Sequence, residues 1–179
     1  MLPTDDKFIF ELLNSSDFIK YIGDRNIRTL NDAKLYINKI LNNESIEYSV
    51  IEKIDSSTPI GILSYIKRDY LDFFDFGFAL LPNFYKKGYV TEASIAYLKY
   101  FFNNKSNLSI AAISKNKNKP SIKLLERLEF EFSKEIKYEK EIWKVFILKK
   151  KNFLAKPYAY LLLLRHPEPH YYTYLFLWK

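Results

Sequence analysis

A chain of 179 residues, 48% hydrophobic and 27% charged, has the size and composition of one globular domain with a buried core rather than of a disordered segment. Having no cysteine, it can form no disulfide, no thiolate metal site and no cysteine acyl-enzyme, which is compatible with a reducing, cytoplasmic location. The formal charge of +7 invites polyanions, but the lysines are scattered, with local clusters only at Lys115, Lys117 and Lys119 and at Lys149 to Lys151, and no arginine-rich arm is present.

Thr4 can cap a first helix carrying Phe8, Leu12 and Leu13 on one side, and Ser15 or Ser16 a second, short one with Phe18, Ile19 and Ile22. Thr29 followed by Asp32 predicts a capping box, and Leu30, Ala33, Tyr36, Ile37, Ile40 and Leu41 continue at helical spacing. Asn42 to Ser45 ends that helix, and Tyr48, Val50 and Ile51 predict a strand that turns at Asp55 to Pro59. Ile60 to Ile66 is apolar on both faces and reads as a central strand, with Phe73 to Leu81 pairing beside it.

Pro82 breaks this second strand, and after Gly88 the spacing becomes helical, with Ala93, Ala96, Tyr97, Tyr100 and Phe101 on one side. A strand, loop and helix joined in this way point the helix's free N–H groups and positive dipole end into the loop, which suits a phosphate. Leu108 to Ile113 predicts another strand, Asn116 to Asn118 a turn, and Pro120 the first turn of a helix with Ile122, Leu125 and Leu128 inward. Phe130 to Ile136 and Ile142 to Leu148 close the pattern as a strand pair. This order predicts an α/β domain with a mixed sheet and helices on both faces. No apolar run approaches the roughly 20 residues of a membrane span, and the start lacks a basic region followed by an apolar one.

Tyr85 to Ala93, Tyr-Lys-Lys-Gly-Tyr-Val-Thr-Glu-Ala, resembles the acetyl-CoA pyrophosphate loop of the GNAT superfamily of acetyltransferases, in particular its RimJ/RimL-like branch, where the loop typically reads Trp-Gly-Lys-Gly-Tyr-Ala-Thr-Glu-Ala. Tyr85, Lys86 and Val90 depart from it. A second segment, Asn118 to Phe130, matches the family's Asn-x-x-Ser and Leu-Glu-Lys-Leu-Gly-Phe at Asn118, Ser121, Leu125, Glu126, Leu128 and Phe130, with Arg127 for the lysine and Glu129 for the glycine. Asp24-Arg25-Asn26 also looks like this branch, and the resemblance runs from about Thr4 to about Leu148. It implies a GNAT fold over residues 1–151, here without the family's opening strand, and leaves 152–179 as an extension of unknown role.

The resemblance further implies an N-acetyltransferase that uses acetyl-CoA as cosubstrate, needs no metal, and passes the acetyl group directly to a primary amine of a protein N-terminus or a small molecule. Backbone at Phe78, Ala79 and Leu80 would hold the pantetheine and polarise the thioester carbonyl, and the loop residues Lys86, Lys87, Gly88, Tyr89, Val90 and Thr91 would hold the pyrophosphate. Asn118 would bond the pantetheine arm, and Ser121 would protonate or orient the leaving sulfur. Asp75, mid-strand before the cofactor residues, and Glu92 compete as the base.

Each residue also has a plainer reading. Asn118 can be a turn asparagine, Ser121 a first-turn cap, Glu92 a partner of the helix dipole, and Lys86 and Lys87 exposed lysines. At the level of the whole chain, the rivals are a degenerate member of the family that serves as a non-catalytic module and a basic nucleic-acid-binding domain; the latter is disfavoured because the aromatics fall at core positions. A homodimer is left open. In the extension, His166-Pro167-Glu168-Pro169-His170 reads as a turn rather than a metal site, and of the candidate strands Tyr158 to Leu164 and Tyr171 to Trp178 one is expected against the sheet edge where the opening strand would have been, with the other beside it or in a neighbouring subunit, the plainer reading being a helix or loose extension.

Overall fold

The computed structural model describes residues 1–138 and 141–155; the expected strands and turn between Tyr158 and Trp178 lie outside the described residues. Chain order gives α1 (Asp6–Leu13), α2 (Ser16–Tyr21), α3 (Leu30–Leu41), β1 (Ile46–Glu52), β2 (Pro59–Ile66), β3 (Asp75–Leu80), α4 (Tyr89–Asn104), β4 (Ser109–Lys115), α5 (Lys119–Arg127), β5 (Glu131–Tyr138), β6 (Glu141–Lys149) and α6 (Lys150–Leu154). The strands form one six-stranded sheet in the order β1-β2-β3-β4-β6-β5. The described residues ahead of α1 form a 3-10 turn, Pro3–Asp5, and β1 is the edge of the described sheet.

Side-chain caps start two of the described helices, α3 at Thr29 and α5 at Asn118. The α3 capping box is complete, with the Thr29 hydroxyl accepting the Asp32 amide and the Asp32 carboxylate accepting the Thr29 amide at 2.8 Å. Two expected caps take other roles. Thr4 sits inside the 3-10 turn, so α1 begins two residues later, and the Ser15 hydroxyl donates backward to the Leu12 carbonyl at 2.8 Å, closing α1 rather than capping α2.

Alternation along the strands divides the apolar residues between two cores. Phe76, Leu80, Ile110, Ala112, Phe146 and Leu148 meet Ala93, Leu98, Phe101 and Phe102 of α4 and Leu124 and Leu125 of α5 on one face. On the other, Ile62 and Ala79 meet Ile9, Leu12, Phe18 and Ile37 of α1 to α3. Phe153 of α6 is fully buried, with its ring 5.6 Å from that of Phe102, so the packed body continues through the last described helix.

Two departures from the family's loop and helix sequences share a conformation. Lys86 and Glu129 each stand where the family has glycine, and both hold left-handed backbone, with φ of 60° and 68°. Side chains with a Cβ are strained there. Glu129→Gly is therefore expected to raise unfolding stability by roughly 0.5–1 kcal/mol, measurable by urea denaturation, with no effect on CoA affinity.

Candidate active site

The β3–β4 pair is the one parallel pairing in the described sheet, and it meets at a single register position, Asp75 with Ala111. The Ala111 amide donates to the Phe74 carbonyl at 2.9 Å. A continuing parallel ladder would next give the Ile113 amide to the Phe76 carbonyl. It goes instead to Asp75 Oδ1, at 3.2 Å, and beyond that point the strands pair no further.

The phase of β3 decides which groups face this gap. The Leu81 amide donates to the Ile60 carbonyl at 2.8 Å, so odd-numbered residues bond β2 while Phe78 and Leu80 turn their N–H and C=O groups toward β4. Of the three residues expected to hold a pantetheine arm, Phe78 and Leu80 offer backbone to the opening, and Ala79 directs its own to Ile62 on β2.

At the carboxyl end of β3 the chain passes through a 3-10 turn, Pro82–Phe84, into the loop before α4. Gly88 is the α4 N-cap, at φ 89° and ψ −13°, and among the described residues no side chain caps the helix. The first intrahelical bond runs from the Glu92 amide to the Gly88 carbonyl at 3.1 Å. Among the described residues, the backbone amides from Lys86 to Thr91 have no acceptor. With left-handed turns at Lys86 and Gly88, this run forms a nest of N–H groups at the positive end of a helix, a site for an anion.

Side chains keep the nest in place. Val90 packs on the main core, and the Lys87 ammonium lies 5.6 Å from the centre of the Phe84 ring. Tyr85 also packs on that core, and its hydroxyl is pushed up to about 12, chiefly by burial and then by the Asp17 carboxylate of α2 beside it. Glu92 lies partly buried in the first turn of α4, where a carboxylate suits the dipole.

The start of α5 lies beyond the carboxyl end of β4, beside the same opening. Asn118 is its N-cap: Oδ1 accepts the Ser121 amide at 3.3 Å. This corrects the plainer reading of Ser121 as a cap. Ser121 is the third residue of the helix, and among the described residues its hydroxyl has no hydrogen-bond partner.

Asp75 is buried, with its side chain 5% exposed, and its second oxygen meets Arg68 Nε at 2.6 Å. Burial pushes its carboxyl up to about 6, against the opposing pull of Arg68 and the Ile113 amide. The folded protein thus holds this proton at a pH where the unfolded chain, near 3.8, has lost it. The Asp75 contribution to stability is therefore expected to fall as pH rises from about 4 to about 6, and wild type minus Asp75→Asn, compared by urea denaturation across that window, should show the decline.

Sequence reasoning missed Arg68, Ile113 and an aromatic group on the sheet face opposite α4. There the Tyr70 ring lies 4.7 Å from Tyr138, which lies 6.3 Å from Trp143. Arg68 stands over Tyr70 at 5.9 Å and Lys115 over Trp143 at 5.1 Å. These residues come together only through the β4–β6–β5 register and the β2–β3 loop, for which no local motif exists.

Comparison with known proteins agrees with this architecture. Residues 1–131 match the Acetyltransferase (GNAT) domain family. The uncharacterized N-acetyltransferase YnaD of Bacillus subtilis (strain 168) is 29% identical over 124 residues, 69% of this chain and 72% of that protein. Among solved structures, spermidine N-acetyltransferase from Vibrio cholerae in complex with CoA and spermine aligns with a TM-score of 0.74 at 18% identity, covering 86% of this chain and 95% of that one. Aminoglycoside acetyltransferase AAC(6')-Ib in complex with coenzyme A and kanamycin aligns with a TM-score of 0.74 at 19% identity, covering 87% and 95%. These two show a shared fold.

Proposed function

The chain belongs to the GNAT acetyltransferase family, and on that premise we propose that it is an acetyl-CoA-dependent N-acetyltransferase of the RimJ/RimL-like branch, acting on a primary amine of a protein N-terminus or a small molecule. The observation that carries this reading is the pairing of an open β3–β4 backbone gap with a nest of amides that have no acceptor among the described residues, at its carboxyl end. A coenzyme with a long amide-bearing arm and a pyrophosphate needs both. The matching loop and helix sequences, and the coenzyme A and amine ligands of the solved relatives, support the same reading.

Each chemical requirement then has a residue. Amides from Lys86 to Thr91 hold the pyrophosphate, with Lys86 and Lys87 adding charge. Backbone at Phe78 and Leu80 orients the arm and donates to the thioester oxygen, and the Asn118 side-chain nitrogen, left over from capping, donates to the arm. The Ser121 hydroxyl supplies a proton to the departing thiolate and is reprotonated from solvent, while the amine nitrogen forms its bond to the acetyl carbon as the carbon–sulfur bond breaks and then releases its surplus proton to solvent. The amine enters from the face bearing Tyr70, Tyr138 and Trp143.

Asp75 has both oxygens engaged, by Arg68 and Ile113, and Glu92 serves the α4 dipole, so neither is assigned to proton removal. The amine reaches the gap neutral, having lost its proton to solvent. Thiol release from acetyl-CoA, followed with a panel of primary amines and mass detection of acetylated product, tests the proposal. Amine-dependent release supports it; tight CoA binding without any acetylated product would instead identify a non-catalytic module.

A further inference from the structure

We infer that the Arg68–Asp75 pair is the spreader of the coenzyme cleft: by taking the Ile113 amide, Asp75 stops the β3–β4 ladder from closing and so keeps the Phe78 and Leu80 backbone available. The inference names a positioning residue for the binding site proposed above and rests on that reading for its functional consequence, though not for its structural one.

The geometry supports it at each atom. Parallel strands are adjacent at Asp75 and Ala111 and share no further register position. That rung would join the Ile113 amide to the Phe76 carbonyl and then the Phe78 amide to the Ile113 carbonyl. Both strands suit it: Phe76 and Ala112 are buried in one core, and β4 is held straight along its other side by pairing with β6 from Ser109 to Lys115. The missing donor is the Ile113 amide, which Asp75 Oδ1 holds at 3.2 Å.

For the side chain to intercept this amide, its carboxylate must be held in position within an interior that penalises its charge. Arg68 does this, from the β2–β3 loop, through Nε on Oδ2 at 2.6 Å, with its guanidinium over the Tyr70 ring. A diverted backbone donor, a buried acid and an arginine sent in from the loop are otherwise three unrelated oddities. One role, keeping two strands apart, accounts for them together.

The test uses two variants of the full chain. Asp75→Asn keeps an oxygen for the Ile113 amide and should retain CoA affinity within about threefold. Asp75→Val, similar in size but with no acceptor, frees that amide to zip onto Phe76, and CoA affinity should fall at least tenfold. Adenosine 3',5'-bisphosphate, which has no pantetheine, reads whether the loss is local to the gap; its affinity should be unchanged.

Amide hydrogen exchange supplies a readout independent of the coenzyme. The Phe78 amide should exchange rapidly in wild type and in Asp75→Asn and become protected in Asp75→Val. Wild type that fails to bind CoA while Phe78 protection still appears in Asp75→Val would overturn the proposed activity and leave the spreader standing. Unchanged Phe78 exchange in a folded Asp75→Val protein would overturn the spreader, whatever CoA does. If Asp75→Val does not fold, Asp75→Ala, which also lacks an acceptor, replaces it, with the same expected protection of Phe78 and the same result against it.

Discussion

Gly88→Glu should leave a folded protein that no longer binds coenzyme A. Gly88 is the α4 N-cap in left-handed backbone, between amides that have no acceptor among the described residues. A glutamate there adds a side chain at a left-handed position and a carboxylate beside the place proposed for the pyrophosphate, opposing it in both volume and charge. An affinity loss of roughly a hundredfold or more is expected by calorimetry, given two like charges in close contact. The backbone cost is modest, since Lys86 and Glu129 already hold left-handed conformations in the same protein. Gly88→Ala separates the two effects, carrying the strain without the charge, and should bind CoA better than the glutamate variant. Unchanged CoA binding by folded Gly88→Glu would remove the phosphate role of this loop.

What can be read from the sequence is local. The turn from β3 into α4 shows as a proline, a glycine and a change of period, and the α3 capping box as Thr29 and Asp32, because each signal lies within a few residues of its effect. Even the unusual backbone of Lys86 and Glu129 is marked by the glycines that the resembling family carries there. The gap itself is not legible. It depends on the amide of Ile113 meeting a side chain 38 residues earlier and on an arginine arriving from a loop, and neither periodicity nor spacing encodes a register between distant strands. Asp75 has the burial that its place in the strand implies, whereas the partners of its two oxygens, Arg68 and the Ile113 amide, leave no mark in the sequence around it. The Tyr70, Tyr138 and Trp143 face is invisible for the same reason, each ring alone being an ordinary aromatic in a strand or loop.

Ser121→Ala should lower kcat by roughly ten- to a thousandfold while leaving CoA affinity nearly unchanged, the range that positioned proton donors ordinarily contribute. The argument begins with where the hydroxyl stands. β3 and β4 run parallel and part, and at their carboxyl ends the chain enters α4 and α5, so both helix N-termini flank the opening. A thiolate released there would be stabilised by the positive end of α5, and Ser121, in its first turn, carries a hydroxyl that has no partner among the described residues and a proton to give. Asn118 already caps the Ser121 amide, so the hydroxyl has no duty in holding the helix, and its removal should scarcely affect unfolding by urea. That separation makes the measurement decisive. Ser121→Thr, which keeps the hydroxyl, should recover much of the rate, and a loss in kcat that it does not rescue would point to packing. Full kcat in Ser121→Ala on a good amine would remove Ser121 from the chemistry and leave the thiolate to take its proton from water.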